Sequence, residues 1–202
     1  MVAIPEIPEH ARVELDPATT ALVVVDMQND FVTQGGTLVV PDAAGTIPAI
    51  TRALARAREA GWRVVFTQDT HGEGDPEFAI WPEHAREGTW GWEIVEALAP
   101  AAGETVLRKP RYDAFYGTPL DHLLRVWGVR TVVLCGTVAN ICVHYTAASA
   151  ALRWYDVVVC RDAVSALHPF DLAASLRQTA FLFAGKVTTV DGLTTPAATT
   201  GR

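Results

Sequence analysis

The stretch Leu134-Cys135-Gly136-Thr137-Val138-Ala139-Asn140-Ile141-Cys142-Val143 runs from an apolar segment through a glycine-containing turn into a helical pattern. The β-branched residues that open it, Thr131-Val132-Val133, read as a strand buried on both faces. The same unit recurs along the chain. Valine-rich runs at Ala21–Val25, Arg63–Phe66, Glu104–Leu107, Thr131–Cys135, Val157–Cys160 and Lys186–Val190 alternate with helical patterns at Ile47–Ala60, Pro119–Trp127, Ile141–Trp154 and Phe170–Phe183. Pro48 near the start of the first helix and Gly61, Gly128 and Gly185 after three helix ends supply the punctuation. Such alternation predicts an α/β fold, a three-layer α/β/α arrangement around a doubly wound, mostly parallel six-stranded sheet.

With 202 residues, half of them hydrophobic and 19% charged, the chain is long enough for one well-buried core and is neither fibrous nor disordered in composition. Residues 1–18 hold three prolines and read as an N-terminal arm. Residues 19–193 read as a single domain, and 194–202, rich in Thr and Ala, as a flexible tail. The apolar runs fall far short of the ~20 residues a membrane helix needs, and the N-terminus lacks the basic and apolar regions of a signal peptide. A cytoplasmic protein without membrane contact is expected. Three cysteines without a CxxC pair fit a reducing compartment, with Cys135 and Cys160 as buried core thiols. A net charge of −7 disfavours nucleic acid as a partner, and Arg52, Arg56 and Arg58 read as the solvated side of an Ala-rich helix. The segment 69–91 differs from the rest, carrying glycines, prolines, two His, two Trp and several acids without periodicity. A loop of that length in a compact domain points to function.

Cys142 stands where a helix begins, and unpaired backbone N–H groups there favour a thiolate and can bind an oxyanion. Ligands of open parallel sheets bind outside the carboxyl ends of the strands, and Asp26, Asp69, Lys109 and Cys142 all fall at or just beyond such ends. A carboxylate can take the thiol proton, and a nearby lysine lowers the pKa of both acids, which predicts a thiolate near neutral pH. Histidine is the competing partner. His144 points away from Cys142 on a helix, at i+2, and His168 reads as part of the loop entering the last helix, so both are expected to be structural.

Three blocks carry a family resemblance: Val25-Asp26-Met27-Gln28-Asn29-Asp30-Phe31, Leu107-Arg108-Lys109-Pro110 followed by Phe115 and Gly117-Thr118-Pro119-Leu120, and Gly136-Thr137 to Cys142-Val143. In type and order they resemble the isochorismatase-like cysteine hydrolases, over about residues 19–190. The resemblance implies a catalytic triad of Asp26, Lys109 and Cys142. It also implies a cis peptide at Thr137-Val138, with the N–H groups of Val138 and Cys142 forming the oxyanion hole.

Asp69-Thr70-His71 and Trp81-Pro82-Glu83-His84 resemble the metal element of the nicotinamidase branch, which implies a divalent ion on Asp69, His71 and His84. Zinc is the first choice, with iron and manganese as alternatives, and Glu73 or Asp75 as candidates to complete the site. One carboxylate and two imidazoles leave open positions, as catalytic metal sites do. Phe31 and Trp81 match positions that sandwich a flat ring. The implied reaction is hydrolysis of a small carboxamide through a cysteine thioester, nicotinamide to nicotinate and ammonia in first place. The alternative is an N-carbamoyl, ureido or other small linear amide. Cleavage of the isochorismate ether is disfavoured because that branch lacks the nucleophilic cysteine. A non-enzymatic protein with Cys142 as a sensor thiol is the competing class. A small-molecule amide is the implied partner, and a homo-oligomer is expected from the family.

Overall fold

In the computed structural model, which describes residues 5–196, the order of elements is β1 (Val13–Glu14), β2 (Thr20–Val25), α1 (Asn29–Val32), α2 (Ala43–Ala60), β3 (Arg63–Asp69), β4 (Thr105–Lys109), α3 (Leu120–Val126), β5 (Thr131–Thr137), α4 (Cys142–Leu152), β6 (Asp156–Ser165), α5 (Pro169–Leu182), β7 (Lys186–Thr188) and β8 (Leu193–Thr194). Six strands form one sheet in the order β4-β3-β2-β5-β6-β7, every pair parallel. The expected sheet is therefore present, and wholly parallel. The hydrophobic runs explain the order. β2 is buried at all six positions, whereas β4 alternates between buried and exposed residues as an edge strand does. Right-handed crossovers then put α2 on one face and α3, α4 and α5 on the other.

The order reverses between β2 and β5, so their carboxyl ends diverge and open a crevice there. The backbones remain close below it. Gly136 pairs with Val25, and a Cβ on Gly136 would lie 2.1 Å from the Val25 carbonyl oxygen, with φ at +111°. Only glycine fits that approach. It lets β5 run on past Cys135, where the sequence pattern stops, and delivers Thr137 to the crevice.

Several elements exceed their predicted bounds for physical reasons. α2 begins at Ala43 rather than Ile47, with Pro48 inside it near its N-terminal end, where the missing N–H costs the helix one backbone bond. β6 continues to Ser165 instead of ending at Cys160. Asp162, which breaks the apolar run, accepts from the Val190 N–H at 2.9 Å, and the strand resumes with Ala163-Val164. Asp69 and Lys109 are the last residues of β3 and β4, not loop residues, and they are register partners. Thr194, assigned to the tail, pairs with Glu14 in the small β1–β8 sheet, and the N-terminal arm bonds to β7 through His10. The remainder of the predicted tail, from 197 on, and residues 1–4 lie outside the described residues. Cys135 and Cys160 are buried as expected, and Arg52 and Arg58 sit on the outer side of α2 in surface ion pairs. Among the described residues no helix is long and apolar enough to cross a membrane.

Candidate active site

Four strand ends converge on one buried ammonium. Lys109 Nζ lies 2.8 Å from Asp26 Oδ2, 2.9 Å from Asp69 Oδ1 and 3.7 Å from Cys142 Sγ. All four side chains are at most 5% exposed. The sheet explains the gathering. Lys109 and Asp69 are neighbours in register, Asp26 directly follows the adjacent strand β2, and Cys142 opens α4 just beyond β5. Asp26 takes up the left-handed region at φ +47°, uncommon for a residue with a side chain, and Thr67 holds it there. The Thr67 hydroxyl donates to Asp26 Oδ1 at 2.7 Å, and the Asp26 N–H returns to Thr67.

The charges sort themselves. Desolvation opposes the charged forms of both Lys109 and Asp69, but Asp26 first and Asp69 second hold Lys109 well above its usual pKa, while Lys109, with His71 and His84 after it, holds Asp69 well below. For Asp26 burial wins. Its carboxyl is raised above 3.8 despite Lys109, with the charge of Asp69 adding to the rise. Burial likewise pushes the Cys142 thiol well above its ordinary value despite Lys109, and the two carboxylates add to it. The expectation of a resting thiolate near neutral pH is thereby corrected, because desolvation outweighs the lysine. Burial thus disfavours the charged form of both Asp26 and Cys142, beside a lysine that keeps its charge.

The Thr137-Val138 peptide is cis, as the motif implies. Among the hydrogen bonds of the described residues, none uses the N–H of Val138 or of Cys142, so both donors are free beside the sulfur. The turn carrying them is tied from behind. Ser165 donates to the Thr137 hydroxyl at 3.0 Å, Ser175 donates to the Ala139 carbonyl at 2.6 Å, and the Ala139 N–H donates to the Ser165 carbonyl at 2.7 Å. The two discounted histidines have structural places. His144 packs on Phe183 and lies 3.3 Å from the Ser175 hydroxyl, and His168 caps α5 by accepting from the Phe170 N–H.

A second cluster adjoins the first through Asp69. Asp69, His71, Glu77 and His84 are all buried, each offering one ligand atom within 4.8 Å of the others. The donor set passes several tests for a divalent ion. His84 Nδ1 donates to the Pro82 carbonyl at 2.7 Å, which leaves Nε2 as the inward lone pair. His71 Nδ1 faces Asp75 Oδ2 at 3.1 Å, and the Oε1 of Glu77 is buried with no hydrogen-bond partner. Two imidazoles and two carboxylates suit zinc, ferrous iron or manganese. Neither candidate to complete the site joins the cluster: Glu73 is exposed, Asp75 meets His71 from outside and pairs with Arg111, and the fourth buried group of the cluster is Glu77. Pro76 starts the 3-10 turn that brings Glu77 inward, and the Asp-Pro-Glu sequence is the one local signal that could have revealed it.

Phe31 and Trp81 both line the cavity in front of Cys142, joined by Tyr112, which the sequence did not single out. The Trp81 indole N–H donates to the Tyr112 hydroxyl at 2.9 Å and bridges the two loops that carry them. Gln28 was also missed. Its amide oxygen accepts from the Asp69 N–H at 2.8 Å and its nitrogen donates to the Asp69 carbonyl at 2.9 Å, pinning that residue from both sides.

A doubly wound α/β protein with a buried thiol, carboxylate and ammonium at its switch point belongs to a narrow class, and comparison with known proteins identifies it. Residues 20–192 match the isochorismatase domain, and the chain belongs to the isochorismatase family. It is 39% identical to the ureidoacrylate amidohydrolase RutB of a Methylorubrum extorquens strain, over 83% of this chain and 77% of the relative. The crystal structure of N-carbamoylsarcosine amidase from Thermoplasma acidophilum superposes with a TM-score of 0.79 at 39% identity, covering 86% of this chain and 97% of that one. Pyrazinamidase of Pyrococcus horikoshii in complex with zinc gives 0.79 at 32% identity, covering 84% and 98%.

Proposed function

We propose that the protein is a cysteine amidohydrolase acting on a small ureido or N-carbamoyl amide. The observation that carries the chemistry is the placement of Lys109 Nζ within 2.8 Å of Asp26 and 3.7 Å of Cys142 Sγ. The substrate class rests on similarity, since relatives at 39% identity act on ureido and N-carbamoyl compounds. That order reverses the sequence reading, which put nicotinamide first.

The sulfur of Cys142 attacks the carbonyl carbon as the thiol proton passes to Asp26, whose raised pKa suits it to hold that proton. The oxyanion of the tetrahedral adduct faces the free N–H groups of Val138 and Cys142, a contact worth about 3 to 4 kcal/mol per donor. The C–N bond then breaks, the departing nitrogen takes the proton from Asp26, and an S-acyl or S-carbamoyl enzyme is left. Water adds with Asp26 as base, the C–S bond breaks, and the acid leaves as the proton returns to sulfur. Lys109 keeps its charge throughout and fixes both carboxylates. Asp69, His71, Glu77 and His84 would hold a divalent ion, zinc in first place, which when bound supplies a Lewis-acidic anchor for the non-reacting end of the substrate.

A second reading, a nicotinamide or pyrazinamide substrate, is favoured by that cluster beside the aromatic walls Phe31, Trp81 and Tyr112. An ammonia-release screen over ureido acids, N-carbamoyl amino acids, nicotinamide and pyrazinamide decides, with Cys142→Ala as control. The ureido or N-carbamoyl compounds are expected to lead in kcat/KM by at least ~10-fold. Faster turnover of nicotinamide establishes the second reading, and no release above the control defeats both.

A further inference from the structure

Asp30 is a buried carboxylate that the mechanism does not use, 6% exposed and on the same short helix as the cavity residue Phe31. Each of its oxygens accepts one backbone N–H from a different loop. Oδ2 takes the Ala85 N–H at 2.8 Å, and Oδ1 takes the Thr37 N–H at 3.0 Å. Ala85 directly follows His84 and sits in the left-handed region at φ +44°, a conformation an alanine keeps only when its surroundings fix it. Its carbonyl accepts from the His71 N–H at 3.1 Å, so this one peptide segment is clamped between Asp30 and His71. On the other side, Thr37 leads into Leu38 and Val40, which line the cavity. Their N–H groups donate to the Asp30 and Phe31 carbonyls at 3.1 and 2.8 Å. Gly91 seals the arrangement. A Cβ there would lie 2.2 Å from the Asp30 carboxylate, so its backbone is packed flat against the group.

We propose that Asp30 is a positioning residue that fixes His84 in the metal-competent cluster and the Leu38–Val40 wall in the substrate cavity, coupling metal affinity to substrate binding. The inference rests on the proposed metal role of the Asp69, His71, Glu77 and His84 group. Outer-shell partners of metal ligands commonly govern affinity by 10- to 100-fold. The near-isosteric Asp30→Asn replaces one acceptor by an amide N–H that faces a donor, and Gly91→Ala displaces the carboxylate without removing it.

Both variants are titrated with cobalt(II) alone, followed by its visible absorption, alongside the rate of Cys142 alkylation by iodoacetamide and the far-ultraviolet circular dichroism. The expected result is cobalt affinity weakened at least ~10-fold and KM raised more than kcat is lowered, while alkylation stays within about twofold of the parent. Cobalt affinity within about twofold of the parent in a folded variant overturns the inference, as does a change in alkylation, up or down, as large as the fall in affinity, which would mark general disturbance of the site. If Asp30→Asn does not fold, Gly91→Ala decides alone. A parent protein that binds no cobalt defeats the metal reading itself, and is distinguishable from equal binding by parent and variants.

Discussion

The two halves of the site are built differently. The half around Cys142 stands on strand ends: Asp26, Asp69 and Lys109 close three neighbouring strands and the thiol opens the helix after a fourth. The half around His84 stands on the segment between β3 and β4, held by backbone bonds to Asp30, His71 and Pro82 rather than by a sheet. Asp69 belongs to both, giving Oδ1 to Lys109 and Oδ2 to His71. On the proposed chemistry, the difference separates bond-breaking, which the scaffold fixes, from recognition, which a loop can vary without disturbing the scaffold.

Removing the proposed nucleophile is the most severe way to test that separation. Cys142→Ala is expected to lower kcat by about 10⁶-fold and Asp26→Asn by about 10⁴-fold in the ammonia assay. Neither change is expected to alter metal content measured by plasma emission; a loss of metal in step with activity would merge the two halves. Lys109→Met comes next. It leaves Asp26 and Asp69 buried without their cation, and breaking such a pair costs about 3 to 5 kcal/mol, read as a fall in stability to urea.

Glu77→Gln acts on the other half alone, weakening zinc affinity by about 10-fold or more in a chelator competition while Cys142 alkylation stays at the parent rate. The smallest effect is expected at Thr67→Val. The hydroxyl stabilises the Asp26 carboxylate and lowers its pKa, so its loss raises that pKa further. Because Asp26 must be unprotonated to act as base, kcat/KM falls as pH drops through the raised pKa, above 3.8, and the acid limb of the profile moves to higher pH in the variant. Stability should fall by only about 1 kcal/mol, the net worth of one hydrogen bond.

The same division governs what could be read from the sequence. Runs such as Thr-Ala-Leu-Val-Val-Val announce buried parallel strands, and the polar residue that ends each run is placed by the sheet, which is why Asp26, Asp69 and Lys109 were legible. Glu77 was not, because its position depends on a 3-10 turn whose path across the cavity has no periodic signature. Asp30 and Gln28 lay inside a recognised motif, yet their roles are bonds to backbone far along the chain, which side-chain spacing does not reveal. The protonation of Cys142 was misjudged for a related reason: proximity to a lysine can be inferred from topology, whereas complete burial of the whole group cannot.

The Trp81–Tyr112 hydrogen bond ties together the two connections that flank β4. Trp81 lies before that strand and Tyr112 just after it, and both side chains line the cavity in front of Cys142. A ligand that displaces either wall therefore works against this bond, and a wall held in place beforehand lowers the ordering cost of binding.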